Sequence, residues 1–289
     1  MTLEALRCLR AVLDTGNFHR AAERLHRSQP AISQQVKALE REYGQVLVDR
    51  KTMTPTPAGR IVYARAVKIL EAADSLEREI GDFDEEATAS LRIGSSDTSA
   101  VYFLPSRMKA FSKRMPKTRV VVVTRSSDEI ADAVQHGDLD LGIVTLPIAR
   151  DGLESRALFE QRLVLVTPRD HPLHTRRTID LRELQDEPFI RLDSETRTGN
   201  ALETFFVEQG FTPQVVMDSG SFEVIKRYVK ESLGISILPE MVLEPRDSNA
   251  LSTLRVKGLS PIPIGAVWRG GVYQTRAARV FLDVLGGDV

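Results

Sequence analysis

Asn17-Phe18-His19-Arg20-Ala21-Ala22-Glu23-Arg24-Leu25-His26-Arg27-Ser28-Gln29-Pro30-Ala31-Ile32-Ser33-Gln34-Gln35-Val36-Lys37-Ala38-Leu39-Glu40 is the stretch whose reading decides the architecture of this chain. Thr15-Gly16 breaks what precedes it, and an asparagine side chain accepts well from the free amides of a helix start, so a helix is predicted over residues 18–25. His26-Arg27 make a turn. Ser28 caps the next helix, and Pro30 falls in its first turn, where a missing N–H costs little. Ile32, Val36 and Leu39 recur at i, i+4 and i+7, which buries one face. Two helices joined by a tight turn make a helix-turn-helix. Upstream, Leu3, Leu6, Leu9, Val12 and Leu13 give an earlier helix an apolar face.

With Ile32, Val36 and Leu39 inward, a 100° step per residue sends Pro30, Ser33, Gln34 and Lys37 outward. Gln pairs bidentately with adenine, Ser donates or accepts, and Lys reaches phosphate or guanine. The amides at Ser28-Gln29 can hold a phosphate. A structural hairpin with a solvated polar face fits the same spacing. Charge leans toward the nucleic-acid reading: residues 1–60 hold ten Lys/Arg against six Asp/Glu, a net +4, while the remaining 29 basic and 34 acidic residues leave −5. A basic head on an acidic body implies an anionic polymer as partner of the head alone.

The chain is 289 residues long, enough for two or three compact units. Its 42% apolar and 27% charged content excludes disordered and collagen-like chains. No apolar run approaches the ~18 residues of a membrane span. Met1-Thr2-Leu3-Glu4-Ala5-Leu6-Arg7 lacks the basic-then-apolar order of a secretory signal, and the single cysteine, Cys8, cannot form an internal disulfide. A cytoplasmic protein without membrane contact is expected, with Cys8 a packed thiol.

After the helix-turn-helix, Val62, Ala66, Ile69, Ala73, Leu76 and Ile80 are spaced 4, 3, 4, 3, 4 within a helix predicted over residues 57–81. That narrow seam suits a dimer helix. An ordinary amphipathic helix packed on its own domain is the alternative. An acidic break follows, Gly81-Asp82-Phe83-Asp84-Glu85-Glu86, with Glu85-Glu86 read as solvated linker. From Leu91 onward strands alternate with helices. Strands are predicted at 91–94, 119–124, 139–145, 163–167, 189–192, 214–217, 235–238 and 261–268. Helices are predicted at 98–114, 127–136, near 200–209 and 222–232, and at 277–285. Such alternation implies parallel sheets in an α/β fold.

One place in this half suits a small ligand. A strand running into Ser95-Ser96-Asp97-Thr98-Ser99 sets hydroxyls and amides at a helix start, where a carboxylate or other oxyanion is favoured. Thr145 ends a strand at the same sheet edge. Thr196-Arg197-Thr198-Gly199-Asn200 and Ser219-Gly220-Ser221 open two further helices across the cleft. Each Ser or Thr here also suits simple helix capping. Asp97 is a misfit, since pointing inward it would repel an anion.

The stretch 17–40 resembles the DNA-binding signature of LysR-type transcriptional regulators. The resemblance continues in Leu91-Arg92-Ile93-Gly94-Ser95-Ser96-Asp97-Thr98, Leu104-Pro105, Leu139-Asp140-Leu141-Gly142-Ile143-Val144-Thr145 and Leu233-Gly234-Ile235-Ser236-Ile237-Leu238-Pro239, so it spans nearly the whole chain. It implies an α+β multidomain protein with a winged helix-turn-helix over 1–58 and a coiled-coil linker helix over 59–88. The effector domain over 89–289 is then an α/β domain of two subdomains, similar to periplasmic binding proteins. Subdomain I covers about 89–162 and 266–289, and subdomain II about 163–265.

The resemblance also implies functional residues and partners. Ser28, Gln29, Pro30, Ser33, Gln34 and Lys37 stand on the recognition helix, and Arg50, Lys51 and Thr56 on the wing. That wing departs from the family's usual pattern. It reads Leu47-Val48-Asp49-Arg50 and then Lys51-Thr52-Met53-Thr54-Pro55-Thr56-Pro57-Ala58-Gly59, with Val48 where Phe is common, Pro55 where Leu is common, and a shorter hairpin lacking the second basic residue. By similarity to the family's cysteine-regulon activators, Ser96, Thr98, Ser99 and Thr145 match positions that contact an effector anion. Ser95, Thr196, Thr198 and Ser219 complete the expected cleft. The implied partners are promoter DNA, a small anionic effector, a second copy through residues 62–80 and on to a tetramer, and RNA polymerase. No metal or cofactor beyond the effector is expected.

Two other classes share part of this pattern. A solute-binding protein shares the cleft but needs export and no basic helix-turn-helix. An enzyme of two α/β lobes needs a catalytic constellation, and no G-x-S-x-G, P-loop, G-x-G-x-x-G or HExxH occurs. His171 and His174 lack companions at metal-ligand spacing, and Trp268 reads as core.

Overall fold

The computed structural model describes residues 1–81 and 89–287. The acidic break after Gly81, with Glu85-Glu86, lies outside them. The chain forms two compact units, Met1–Ala87 and Thr88–Val289.

The first unit opens with α1 (Leu3–Thr15), α2 (Phe18–Arg24) and α3 (Gln29–Tyr43). The caps are those the sequence implies. Asn17 Oδ1 accepts from the amides of His19 at 2.7 Å and Arg20 at 3.3 Å, and Ser28 Oγ accepts from that of Ala31 at 3.4 Å. Leu6, Leu9, Val12, Ile32, Val36 and Leu39 interlock as one buried core. A short hairpin follows, its arms bridged antiparallel at Val48 and Pro55, before α4 (Pro57–Gly81).

The seam on α4 divides between two roles. Ala66 and Leu70 are buried in the core of the first unit, with Val62 packed beside them. Tyr63 donates to Asp14 at 2.5 Å and Arg7 to Asp74 at 3.1 Å, so α4 is fastened along α1. Only the other flank is open, with Ile69, Leu76 and Ile80 exposed. Two corrections follow. Val62 and Ala66 serve their own domain rather than a partner. The helix also starts at Pro57, inside the range read as the DNA-binding domain, so the 58/59 boundary cuts through packed structure. The reason is geometric: a helix packs on its own domain over a wider stripe than a two-stranded seam needs.

The second unit has two lobes. Lobe I contains β1 (Ser90–Ser95), a π-turn at Ser99–Phe103, α5 (Leu104–Arg114), β2 (Arg119–Thr124), α6 (Ser127–His136), β3 (Leu141–Thr145) and β4 (Leu153–Gln161). Lobe II contains β5 (Leu163–Pro168), β6 (Thr178–Ile179), β7 (Pro188–Leu192), α7 (Arg197–Glu208), β8 (Gln214–Ser219), α8 (Phe222–Lys230), β9 (Ser236–Pro239) and β10 (Leu251–Val256). The chain returns to lobe I through β11 (Ile262–Arg269) and ends in α9 (Arg276–Gly286).

Lobe I is a sheet in the order β2-β1-β3-β11-β4, and lobe II is built on β6-β10-β5-β9 and β7-β8. The expectation of parallel sheets holds for β2-β1-β3 and for β7-β8. It holds also for β6 beside β10 and fails for the rest: β11 runs antiparallel to β3 and β4, and β5 antiparallel to β9 and β10. The strands that run against their neighbours include β5 and β11, which carry the chain between lobes and enter their sheets from the opposite end. β11 pairs with β4 from Ile262 onward, so the return to the first subdomain comes before residue 262 rather than at 266.

Two aromatic clusters anchor the lobes. Phe111 meets Phe281 edge-on at 5.3 Å, and Phe206 meets Phe189 at 5.7 Å and Phe211 at 5.3 Å. Each such ring, fully buried, contributes about 1.5–3 kcal/mol. These cores hold the loops that end β1, β3 and β7 facing one another across a cleft.

Candidate DNA-reading surface and effector cleft

Burial of Ile32, Val36 and Leu39 leaves the opposite face of α3 open. Ser28, Gln29, Pro30, Gln34 and Lys37 are exposed and Ser33 is half-buried. The wing hairpin sits beside this face and is held by a few polar contacts. Glu40 Oε1 accepts from the amides of Leu47 at 3.0 Å and Val48 at 3.3 Å, and its Oε2 takes Arg50 at 2.9 Å. The Arg50 guanidinium also lies 4.6 Å above the Phe18 ring. Asp49 turns the tip by accepting from the amides of Lys51 and Thr52, which holds its carboxyl below the usual range.

This changes two of the residues expected on the wing. Thr56 Oγ1 donates to the Val46 carbonyl at 2.6 Å and accepts from the Gly59 amide at 3.0 Å, so it caps α4 and is occupied there. Arg50 fastens the hairpin to α3 and α2. Lys51, exposed at the tip, keeps its ammonium open to solvent.

Between the lobes of the second unit lies a cleft of about 520 Å³. Of the residues expected there, Ser96, Thr98, Thr145, Thr196 and Thr198 line it. Ser95 and Ser99 are buried behind the lining, and Ser219 lies off it, next to Gly220. Capping accounts for several hydroxyls. Ser96 Oγ accepts from the Ser99 amide at 3.3 Å, Thr196 Oγ1 from that of Gly199 at 2.9 Å, and Ser219 Oγ from that of Ser221 at 3.2 Å. Thr145 meets Ser127, whose Oγ accepts from its amide at 3.0 Å.

Several lining residues lie outside the sequence reading of the site, among them Gln161, Arg125, Arg197, Glu129, Asp193 and Glu195. Gln161 ends β4, a strand whose sequence, Leu-Glu-Ser-Arg-Ala-Leu-Phe-Glu-Gln, lacks clean alternation. Arg197 stood within a quoted helix start without a role. It spans the cleft: its Nε donates to Asp128 Oδ2 at 3.0 Å, its Nη2 to Asp128 Oδ1 at 2.8 Å and its Nη1 to the Pro147 carbonyl at 2.7 Å. These bonds from Arg197, helped by its charge and that of Arg150, hold the Asp128 carboxyl below the usual range.

A second tie joins the lobes at the other end. The Tyr102 hydroxyl donates to Glu223, and Lys226 Nζ donates to that hydroxyl at 3.2 Å and to the Val242 carbonyl at 2.8 Å. Burial, then the bond to Glu223, pushes the Tyr102 phenol up. Burial opposes the charge on Lys226, but its bonds to Glu223 and Tyr102 outweigh that and raise its pKa.

Loss of the first tie has a measurable consequence. Asp128→Asn is expected to cost no more than ~1 kcal/mol, because the pair is half-exposed. It should nevertheless speed amide hydrogen exchange at residues 194–199, where α7 begins, with α5 and α9 unaffected. Unchanged exchange there would mean that the pair does not hold the lobes.

Residues 3–60 match the model described as bacterial regulatory helix-turn-helix protein, lysR family, and residues 84–288 match the LysR substrate binding domain. The chain belongs to the LysR-type transcriptional regulators. These are DNA-binding regulators and not enzymes. The regulator is 31% identical over 283 residues to the HTH-type transcriptional regulator CysB of Burkholderia cenocepacia, covering 96% of this chain and 87% of that one. It is also 31% identical over 261 residues to a RuBisCO operon transcriptional regulator of Allochromatium vinosum, covering 89% and 86%. A cysteine-to-aspartate variant of full-length OxyR from Pseudomonas aeruginosa superposes with a TM-score of 0.73 at 27% identity, covering 99% and 94%.

The regulator's own cysteine does not suit thiol chemistry. Cys8 is buried in α1 and burial, more than the neighbouring Glu4, pushes its thiol up to about 11. Among the described residues no cluster of His, Cys, Asp and Glu is placed to hold a metal, and no helix is long and apolar enough to cross a membrane. His171 caps a short helical turn and meets Glu187 at 3.2 Å. Trp268 packs against the core while donating to Glu154 at 3.0 Å.

Proposed function

We propose that this cytoplasmic regulator reads an inverted repeat in promoter DNA and responds to a small oxyanion-bearing metabolite held in the interlobe cleft. The observation that carries the DNA reading is the exposed row of Gln34 and Lys37 on a helix whose other face is locked into the core. Ser33 and Gln34 meet base edges, Lys37 and Lys51 meet phosphates, and the amides at the start of α3 by Ser28, Gln29 and Pro30 hold a further phosphate. Arg50 supports the wing from below.

Exposed Ile69, Leu76 and Ile80 on α4 are the contact for a second copy, with a tetramer built from such pairs. RNA polymerase is the further protein partner. Relatives at the same 31% identity carry names as different as CysB and RuBisCO operon regulator, so cleft chemistry, not likeness, has to assign the effector. Ser96, Thr98, Thr145 and Thr198 and the start of α7 at Thr196 supply hydroxyls and amides suited to a carboxylate or similar group. Ser95, Ser99 and Ser219 support these loops from behind.

The test is fluorescence anisotropy of the full chain on DNA from upstream of its own gene, against a scrambled duplex, at two salt concentrations. A strong preference for the upstream site that weakens with salt is expected. Gln34→Ala should reduce that preference by about 1–3 kcal/mol, while binding to the scrambled duplex stays as it was. Equal losses on both duplexes would show that Gln34 does not read sequence.

A further inference from the structure

The cleft is poorly charged for a simple anion. Its ionisable lining comprises Asp97, Glu129, Asp193 and Glu195 against Arg125 and Arg197, and Arg197 is already committed to Asp128. A ligand carrying only negative charge would enter a field of its own sign. Asp193 is the one half-buried acid among the four, the other three being exposed. Its Oδ1 accepts from the Glu195 amide at 2.9 Å, which leaves its other oxygen open.

Opposite charge preference sits a few residues away. α7 has twelve residues, and its first two amides, at Arg197 and Thr198, precede the one that Thr196 caps at Gly199. Those amides and the helix dipole favour an anionic group. Two further polar side chains await partners. Thr198 is 8% exposed and Gln161 5% exposed, both line the cleft, and neither side chain has a hydrogen bond among the described residues. Their polar atoms open onto the cleft, since among the described residues only Arg107 Nε is a fully buried side-chain nitrogen or oxygen without a partner, and a polar guest can pair with them.

Resting on the reading of this cleft as the effector site, we infer that the effector is a zwitterion: an α-amino acid or a derivative that keeps its ammonium group. Its carboxylate faces the start of α7 and Thr198. Its ammonium faces Asp193, where partial burial strengthens the attraction, and Asp97 lies on the same lining. Asp97, a misfit beside a pure anion, fits beside an ammonium. Gln161, able to donate and accept, meets the polar part of the side chain.

The experiment is isothermal titration of the full-length regulator with each of the twenty amino acids, their N-acetyl and des-amino counterparts, and inorganic sulfate. At least one free amino acid should bind, and acetylating or removing its amino group should weaken it roughly tenfold or more, the scale of one charge-assisted hydrogen bond. Asp193→Asn keeps the acceptor for the Glu195 amide and should erase most of that difference, weakening the free amino acid while the loss of a negative charge strengthens the des-amino counterpart. Sulfate or an N-acetyl or des-amino acid binding as tightly as any amino acid would overturn the zwitterion while leaving the cleft as an effector site. No binding by any probe would overturn both. Discrimination surviving intact in folded Asp193→Asn would remove Asp193 as the ammonium partner; the wild-type panel tests the ligand class even where that variant misfolds.

Discussion

Gly59→Ala should abolish DNA binding by the full chain. A Cβ at this position would lie 1.9 Å from the Leu47 carbonyl oxygen and 2.9 Å from its carbon. Both are backbone atoms, so no side chain can swing aside. Either α4 withdraws from the hairpin or the hairpin leaves α3. Both routes break the Thr56 amide bond to that same carbonyl, 3.0 Å long, and uncover the fully buried Leu47 and Val48. Overpacking alone costs about 1–3 kcal/mol, and the lost hydrogen bond and apolar contacts add to it. Anisotropy on the upstream duplex reports the binding loss, and faster hydrogen exchange over residues 47–60 would locate its origin. Wild-type affinity in this variant would show that the hairpin tolerates displacement and that α3 reads DNA without it.

The second large effect is expected in the effector unit. Asp247 is 2% exposed, and accepts from Lys230 at 2.5 Å and from the Glu244 amide at 2.9 Å, with Lys226 at 3.4 Å. Burial works against its charge, but the bonds to Lys230 and Glu244 and the nearby lysine charges prevail, and its pKa falls to about 2. Replacing it with Asn removes the carboxylate that pairs Lys230, while Lys226 keeps Glu223, Tyr102 and the Val242 carbonyl, so the loss is that of one charged hydrogen bond, about 1.5–3 kcal/mol. The pH dependence has a definite sign. The folded pKa lies below the ordinary 3.8, so the stabilisation is complete above that value and is lost as pH falls through about 2. Urea midpoints of wild type and Asp247→Asn should therefore differ most at neutral pH and converge in that acid window. A gap that stays constant down to pH 2 would place the cost in packing instead of charge.

Much of the fold was legible because local chemistry and packing agree. Asn17, Ser28 and the Ile32, Val36, Leu39 triplet announce α2 and α3 unambiguously, and the valine run at 119–124 announces β2. β4 was not legible, since its charged, half-exposed sequence gains strand geometry only by pairing with β11. The loss of β4 hid Gln161 as well. The cleft was readable as a place, from strand ends and helix starts, but not as a charge pattern. Arg197 and Asp128 are distant in sequence, and only the folded lobes bring them together. Thr56 shows the reverse error: its place on the wing suited a DNA contact, while its position at the start of α4 had already claimed the hydroxyl.

The fastening of α4 along α1 makes this helix a lever with the reading head fixed along its first two-thirds. Tyr63 near one end and Asp74 two-thirds along tie it to the same helix that supports α3. At 25 residues it is roughly 38 Å long, so a swing of about 10° carries its tip some 6.5 Å. That distance is close to two base-pair steps of duplex. In the proposed pairing of two copies through this helix, operator spacing becomes a ruler read through an angle, and a few degrees of shaft rotation, with no refolding of the reading head, separate a matched pair of half-sites from a mismatched one.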